Sequence, residues 1–117
     1  MKERQDVMLL VERIRAQVPA RHVTEKHMFG GITFLMNGNM LCGASKQGLI
    51  VRVGRDAEAM ALSQPFARPC LGTGRRMAGF IMIEPAGITE STALSRWLEM
   101  ARAHVSRLPP KAASTAS

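Results

Sequence analysis

Two glycine-bearing stretches hold the residue types best suited to ligand chemistry: His27-Met28-Phe29-Gly30-Gly31 and Gly72-Thr73-Gly74-Arg75-Arg76-Met77-Ala78-Gly79. Adjacent glycines can turn backbone N–H groups toward a phosphate, and guanidinium forks match phosphate or carboxylate geometry. The same glycines can instead let the chain bend where a Cβ would clash. A dinucleotide cradle follows a strand and opens a helix, and a Walker loop ends in Gly-Lys-Ser/Thr. HMFGG has neither setting, because it precedes the alternating run Ile32-Thr33-Phe34. It is read as a strand entry, with Gly30 and Gly31 admitting a bulge or the first helix, Phe29 anchored in the core and His27 at the surface. The second stretch is read as a glycine-bent hairpin. Its Arg75 and Arg76, together with Arg52, are the candidates for anion or partner contact.

Catalytic chemistry is poorly supplied. Ser45-Lys46 is not a Ser-x-x-Lys pair, Gly-x-Ser-x-Gly is absent, and neither Cys42 nor Cys70 has a histidine beside it in sequence. Asp6 and Asp56, the two aspartates, stand at expected helix starts, where capping explains them. His22, His27 and His104 lack metalloprotease spacing, and the cysteines form no CxxC pair. No catalytic residue, metal or cofactor is expected. Two distant cysteines make no disulfide framework either, so reduced thiols are expected.

At 117 residues and 12.8 kDa, the chain fits one domain with an ordinary core. No apolar run approaches the roughly 20 residues of a membrane span. The start, MKERQDVMLL, lacks a signal-peptide pattern, so a cytoplasmic protein without membrane contact is expected. The net charge of +7 invites a nucleic-acid reading through phosphate neutralisation. The charge is spread along the chain, however, with Arg75-Arg76 the one adjacent basic pair, and the stacking rings amount to four Phe and one Trp in apolar stretches.

These residues must be positioned by a small set of elements. Val7, Leu10, Val11, Ile14 and Val18 recur at helical spacing, and Pro19 stops that helix. Ile32, Phe34 and Met36 alternate as a strand up to the hairpin signal Asn37-Gly38; Asn39–Ala44 and Leu49–Val53 follow as two more strands. Within the last, Leu49, Val51 and Val53 share one face while Ile50 and Arg52 share the other, where Arg52 can pair with Glu84 or meet a partner. Asp56 is expected to cap a short helix to Leu62 that buries Ala57, Met60 and Ala61, followed by a loop over 64–69. Residues 70–84 supply two extended stretches. A final helix, capped by Thr89 or Ser91, carries Leu94, Trp97, Leu98, Ala101, Val105 and Leu108 on one face before Pro109-Pro110. The order helix, three strands, helix, two strands, helix predicts an α+β domain over 1–108 with a mobile polar tail at 109–117.

Five ordered segments carry a resemblance: Met28-Phe29-Gly30-Gly31, Asn37-Gly38-Asn39-Met40, Arg52-Val53-Gly54, Pro65 with Pro69, and Gly74 through Phe80. Over about residues 5–108 they resemble the N-terminal domain of the TfoX/Sxy competence regulators. The resemblance implies an α/β fold similar to that of type III secretion chaperones and no enzyme activity. It also implies a structural signature made of Met28, Phe29, Gly30, Gly31, Gly38, Gly54, Gly74, Met77 and Gly79. A second, C-terminal helical domain accompanies the competence role in full-length regulators, whereas here a short polar tail follows. Arg76 stands where proline is common in the family.

The function expected is a regulatory or protein-interaction module of the competence and transcription type, with basic nucleic-acid binding as the alternative. The strands are apolar on both faces, Leu35 and Ile50 included, which calls for a helix on each side of the sheet or for a second copy in a homodimer. The nine methionines, among them Met36, Met40, Met60, Met77, Met82 and Met100, are read mostly as adaptable core, and a few on an exposed sheet face would instead make a forgiving partner surface.

Overall fold

The computed structural model describes residues 2–18, 21–28, 31–71 and 76–110. The helical apolar stripe at the start folds as α1 (Lys2–Gln17), followed by four strands: β1 (Val23–Met28), β2 (Gly31–Met36), β3 (Asn39–Ser45) and β4 (Gly48–Arg52). Then come α2 (Arg55–Leu62), β5 (Ala67–Leu71), β6 (Arg76–Ile83), a 3₁₀ turn at Pro85–Ile88 and α3 (Ser91–Val105). The strands form one antiparallel sheet in the order β1-β2-β3-β4-β6-β5. Asn37 and Gly38 both have positive φ, 51° and 85°, as the tight turn between β2 and β3 requires. The β2–β3 register breaks between Phe34 and Leu35, so β3 carries an extra residue. That residue is Leu41, and it and Cys42 both enter the core.

All three helices pack on one sheet face. Val7, Leu10, Val11 and Ile14 from α1, Ala61 from α2, and Leu94, Trp97, Leu98, Ala101 and Val105 from α3 form one cluster with Ile32, Phe34, Leu49, Val51, Ile81 and Ile83. Burying side chains of this size stabilises by about 1.5–3 kcal/mol each. On the helix-free face a second cluster holds Ile50, Cys70 and Met82, with Met40, Met77 and Phe80 packed against it. The α+β single domain expected from sequence is therefore the fold observed.

Several local expectations are corrected. β1 adds a fourth strand before α2, so His27 and Met28 end a strand and pair with Ile32 and Gly31. VTEKHM hides this because an edge strand is held by its ladder to β2 and keeps charged side chains in water. The expected loop at 64–69 becomes β5 from Ala67, with Pro69 accommodated at the other edge. Met60 is 54 % exposed, because the eight-residue α2 presents Ala61 inward and has no second buried turn. The N-cap positions are Gly54 and Glu90, neither with a side-chain cap; Asp56 lies in the first turn of α2 and Asp6 inside α1. Thr89 Oγ1 donates to Ala86 O instead of capping α3. A Cβ on Gly31 would stand 1.8 Å from Ala44 O, so the close approach there is by β3 rather than by the first helix. No helix covers the second sheet face among the described residues; Ile50, 7 % exposed, is buried there by its own sheet neighbours, while Leu35 is half-buried.

Candidate functional site

At the end of β4 the chain must leave the sheet and start α2. Val53 N and Gly54 N both donate to Gly79 O, at 2.9 and 3.1 Å, and Gly79 N donates to Glu58 Oε1 at 3.1 Å. This lashing of β6 to the start of α2 needs a backbone that few residues adopt: Gly54 has φ 90° and ψ 157°. A Cβ on Gly54 would also lie 2.5 Å from His104 Nδ1, so α3 packs directly on the bare backbone. Three elements thus converge on a cleft of about 530 Å³, lined by Arg52, Val53, Gly54, Arg55, Asp56 and His104 among others, with Arg107 and Leu108 closing one side.

The cleft is cationic. The Arg52 guanidinium lies over the Phe80 ring, 5.4 Å from its centroid. Stacking uses the guanidinium face and leaves its in-plane N–H groups free to donate. Arg107 Nε donates to Ala103 O at 3.0 Å, which holds the side chain at the helix end. Among the described residues neither these two arginines nor Arg55 forms an ion pair, whereas Arg15, Arg68 and Arg102 each hold a glutamate. His104 titrates below its ordinary 6.5, first because it is partly desolvated and then because Arg52 and Arg107 repel its charged form; Asp56 opposes them.

A second concavity lies on the helix-free sheet face. Met40, Ile50, Cys70, Leu71, Met77 and Met82 line a groove of about 240 Å³ whose polar rim is Ser45 and Gln47. Leu71 stands 66 % exposed at its edge. Ser45 Oγ accepts from Gln47 N at 3.2 Å and donates to Gly48 O at 3.3 Å, fixing that rim. Burial raises the thiol pKa of Cys70 in the groove and pushes that of Cys42 in the core up to about 12, so neither is an activated nucleophile.

A family model, the TfoX N-terminal domain, matches residues 17–105. The chain belongs to the TfoX N-terminal domain family. No curated protein and no solved structure matches it.

Within this TfoX N-terminal domain the residues singled out from sequence scatter. Arg52 lies in the cleft, and its expected partner Glu84 is taken instead by Arg68, whose Nε donates to Glu84 Oε2 at 2.5 Å. Arg76 opens β6, but its side chain, like that of Met28, falls outside the described part, as do Arg75, Phe29, Gly30 and Gly74. Of the signature residues, Gly54 and Gly79 shape the cleft, Met77 lines the groove, and Gly31 and Gly38 serve strand approach and turn. Sequence reasoning missed Arg55, His104 and Arg107. Arg55 follows the Arg52-Val53-Gly54 segment directly and was in reach; His104 and Arg107 arrive from α3, some 50 residues away in the chain, with no local signal. Among the described residues no group of three His, Cys, Asp or Glu side chains is placed to hold a metal ion, and no helix is long and apolar enough to cross a membrane.

Proposed function

We propose that this TfoX N-terminal domain is a non-catalytic binding module of the cytoplasm that engages a protein partner through the methionine groove. The groove carries the reading: an apolar recess on the sheet face that no described helix covers, built from Met40, Met77 and Met82 around Ile50. Methionine is unbranched and polarisable, so such a recess adapts to the apolar side chain that enters it. Its size suits one or two side chains rather than a helix. Net charge of +7 steers acidic surfaces toward the domain, so the partner is an acidic segment presenting a leucine- or phenylalanine-like anchor. A regulatory role in competence or transcription rests on family membership alone.

The test uses acidic peptides bearing one apolar anchor, with the methionine methyl groups as NMR probes. Shifts confined to Met40, Met77 and Met82, lost in Leu71→Asp, support the reading. Binding that leaves those methyls unmoved overturns it, as does steady small-molecule turnover abolished by one side-chain change.

A further inference from the structure

We propose that the cleft between β4, α2 and the end of α3 binds a small organic phosphate ester of mononucleotide size, held by Arg52, Arg55 and Arg107. Three arginines, one at the end of β4, one at the start of α2 and one in the turn after α3, line one recess, and none is neutralised by an ion pair among the described residues. Elsewhere Arg15 binds Glu12 and Glu25, Arg68 binds Glu84 and Arg102 binds Glu99, while Arg21 and Arg96 stand exposed without an ion pair among the described residues but do not share a recess with other arginines. Three cations gathered at one concavity, two of them exposed and one half-buried, offer a ready counter-charge to an anion that enters it. The acidic groups of the neighbourhood do not cancel them. Among the described residues that line the recess, Asp56 is the one carboxylate against three arginines, which leaves the cations in excess.

Geometry selects the class of anion. Arginine forks bind phosphate oxygens bidentately, and the Arg52 fork is pre-oriented by Phe80. Val53, Ala57 and Leu108 give the same recess an apolar wall, which a bare phosphate ion would leave empty. The volume of about 530 Å³ falls in the range of small-molecule sites and exceeds what one phosphate needs. Nucleic acid is disfavoured, since a duplex wants cations spread along a patch or stripe, and here three arginines gather at one hollow. His104 reports the occupant. It is surrounded by Arg52 and Arg107 from β4 and its own helix end, by Asp56 from α2, and by the Gly54 backbone. A phosphate between the arginines would offset their repulsion and raise its titration midpoint.

The proposal is independent of the methionine groove, so Leu71→Asp should leave it intact. The probes are AMP, inorganic phosphate and a short duplex DNA, titrated at low salt into the full chain by calorimetry and by NMR of the His104 ring. The expected result is AMP binding tighter than inorganic phosphate, a rise in the His104 midpoint, and weakening by roughly tenfold or more in Arg107→Gln and in Arg52→Gln. Arg107 is exposed and its one hydrogen bond goes to its own helix end, so Arg107→Gln should fold even if Arg52→Gln does not. Absence of AMP binding at millimolar ligand overturns the proposal. So does equal affinity for AMP and phosphate, unchanged affinity in Arg107→Gln, or duplex binding with a steep salt slope while AMP fails to compete.

Discussion

Gly54→Ala tests whether α3 is seated on bare backbone as described. Two separate penalties arise. The backbone at φ 90° and ψ 157° lies in a region that is essentially glycine-only, and holding an alanine there costs about 1–3 kcal/mol. The new methyl would then stand 2.5 Å from His104 Nδ1 and 2.7 Å from Cε1, where ordinary contact begins at 3.4 Å. The imidazole must retreat by almost an ångström, and overpacking of that kind costs about 1–3 kcal/mol. Together they predict about 2–6 kcal/mol of destabilisation, read from urea or guanidinium denaturation at matched m-values. Gly54→Ala with His104→Ala separates the terms: removing the ring should recover the steric part and leave the backbone part. The cycle should give a favourable coupling of about 1–3 kcal/mol, typical of residues in contact. A loss below about 0.5 kcal/mol for Gly54→Ala, or strict additivity in the double variant, would refute the reasoning.

Leu94→Ala should cost about 2–5 kcal/mol because Leu94 is wholly buried under α3, whereas Met60→Ala should fall within about 0.5 kcal/mol; thermal or chemical denaturation of the pair checks both. His104 binds its proton less readily folded than unfolded, so its contribution is intact above about pH 6.5 and stability falls as pH drops below that value toward the folded midpoint. His104→Gln should flatten that segment of the stability-against-pH curve, and an unchanged slope would count against the described surroundings of the ring. Cys42, whose thiol is pushed up to about 12 by burial, should resist thiol reagents until the domain unfolds, as mass spectrometry of labelling in native and denaturing buffer would show.

What was legible in the sequence was whatever obeyed one period over several residues. α1 and α3 are written in Val7-Leu10-Val11-Ile14 and Leu94-Trp97-Leu98-Ala101-Val105, and all nine are buried as that spacing demands. The split of β4 and the residue after it into Leu49, Val51 and Val53 against Ile50 and Arg52 was equally plain, whereas Met40, Met77 and Met82, which read as core, lie in the cluster on the other sheet face. Edge strands were not legible. Val23–Met28 carries Glu25, Lys26 and His27, and in the five-residue Ala67–Leu71 a proline stands mid-strand, which reads as a breaker, so neither announces itself as a strand. The candidate site was half visible. Arg52 could be flagged as a charge in mid-strand, but nothing local says that α3 will bring His104 and Arg107 onto the same hollow, or that Arg68 will claim Glu84 first. Long-range assembly of polar side chains has no period to read.

The two edges also constrain how a second chain can approach. A sheet grows by pairing at an unprotected edge strand, and both edges here are blunted. β1 exposes Thr24, Glu25, Lys26 and His27, and Glu25 is held by the Arg15 guanidinium, with Nε–Oε2 at 2.8 Å; that bond keeps the carboxyl below its ordinary pKa. β5 is interrupted twice, by Pro69 and by the register break between Pro69 and Leu71. Proline survives at an edge because the N–H it lacks would face away from the sheet, which is the group an incoming strand would use. Any self-association of the wild-type chain should therefore run through the methionine face and be weakened by Leu71→Asp. Pro69→Val should open a new route by restoring the N–H and adding a β-branched side chain to β5. Light scattering coupled to size exclusion, run across protein concentration, should give a mass for Pro69→Val that climbs above wild type and stays insensitive to Leu71→Asp. A variant that keeps the wild-type mass at every concentration would mean that Pro69 is not what guards this edge.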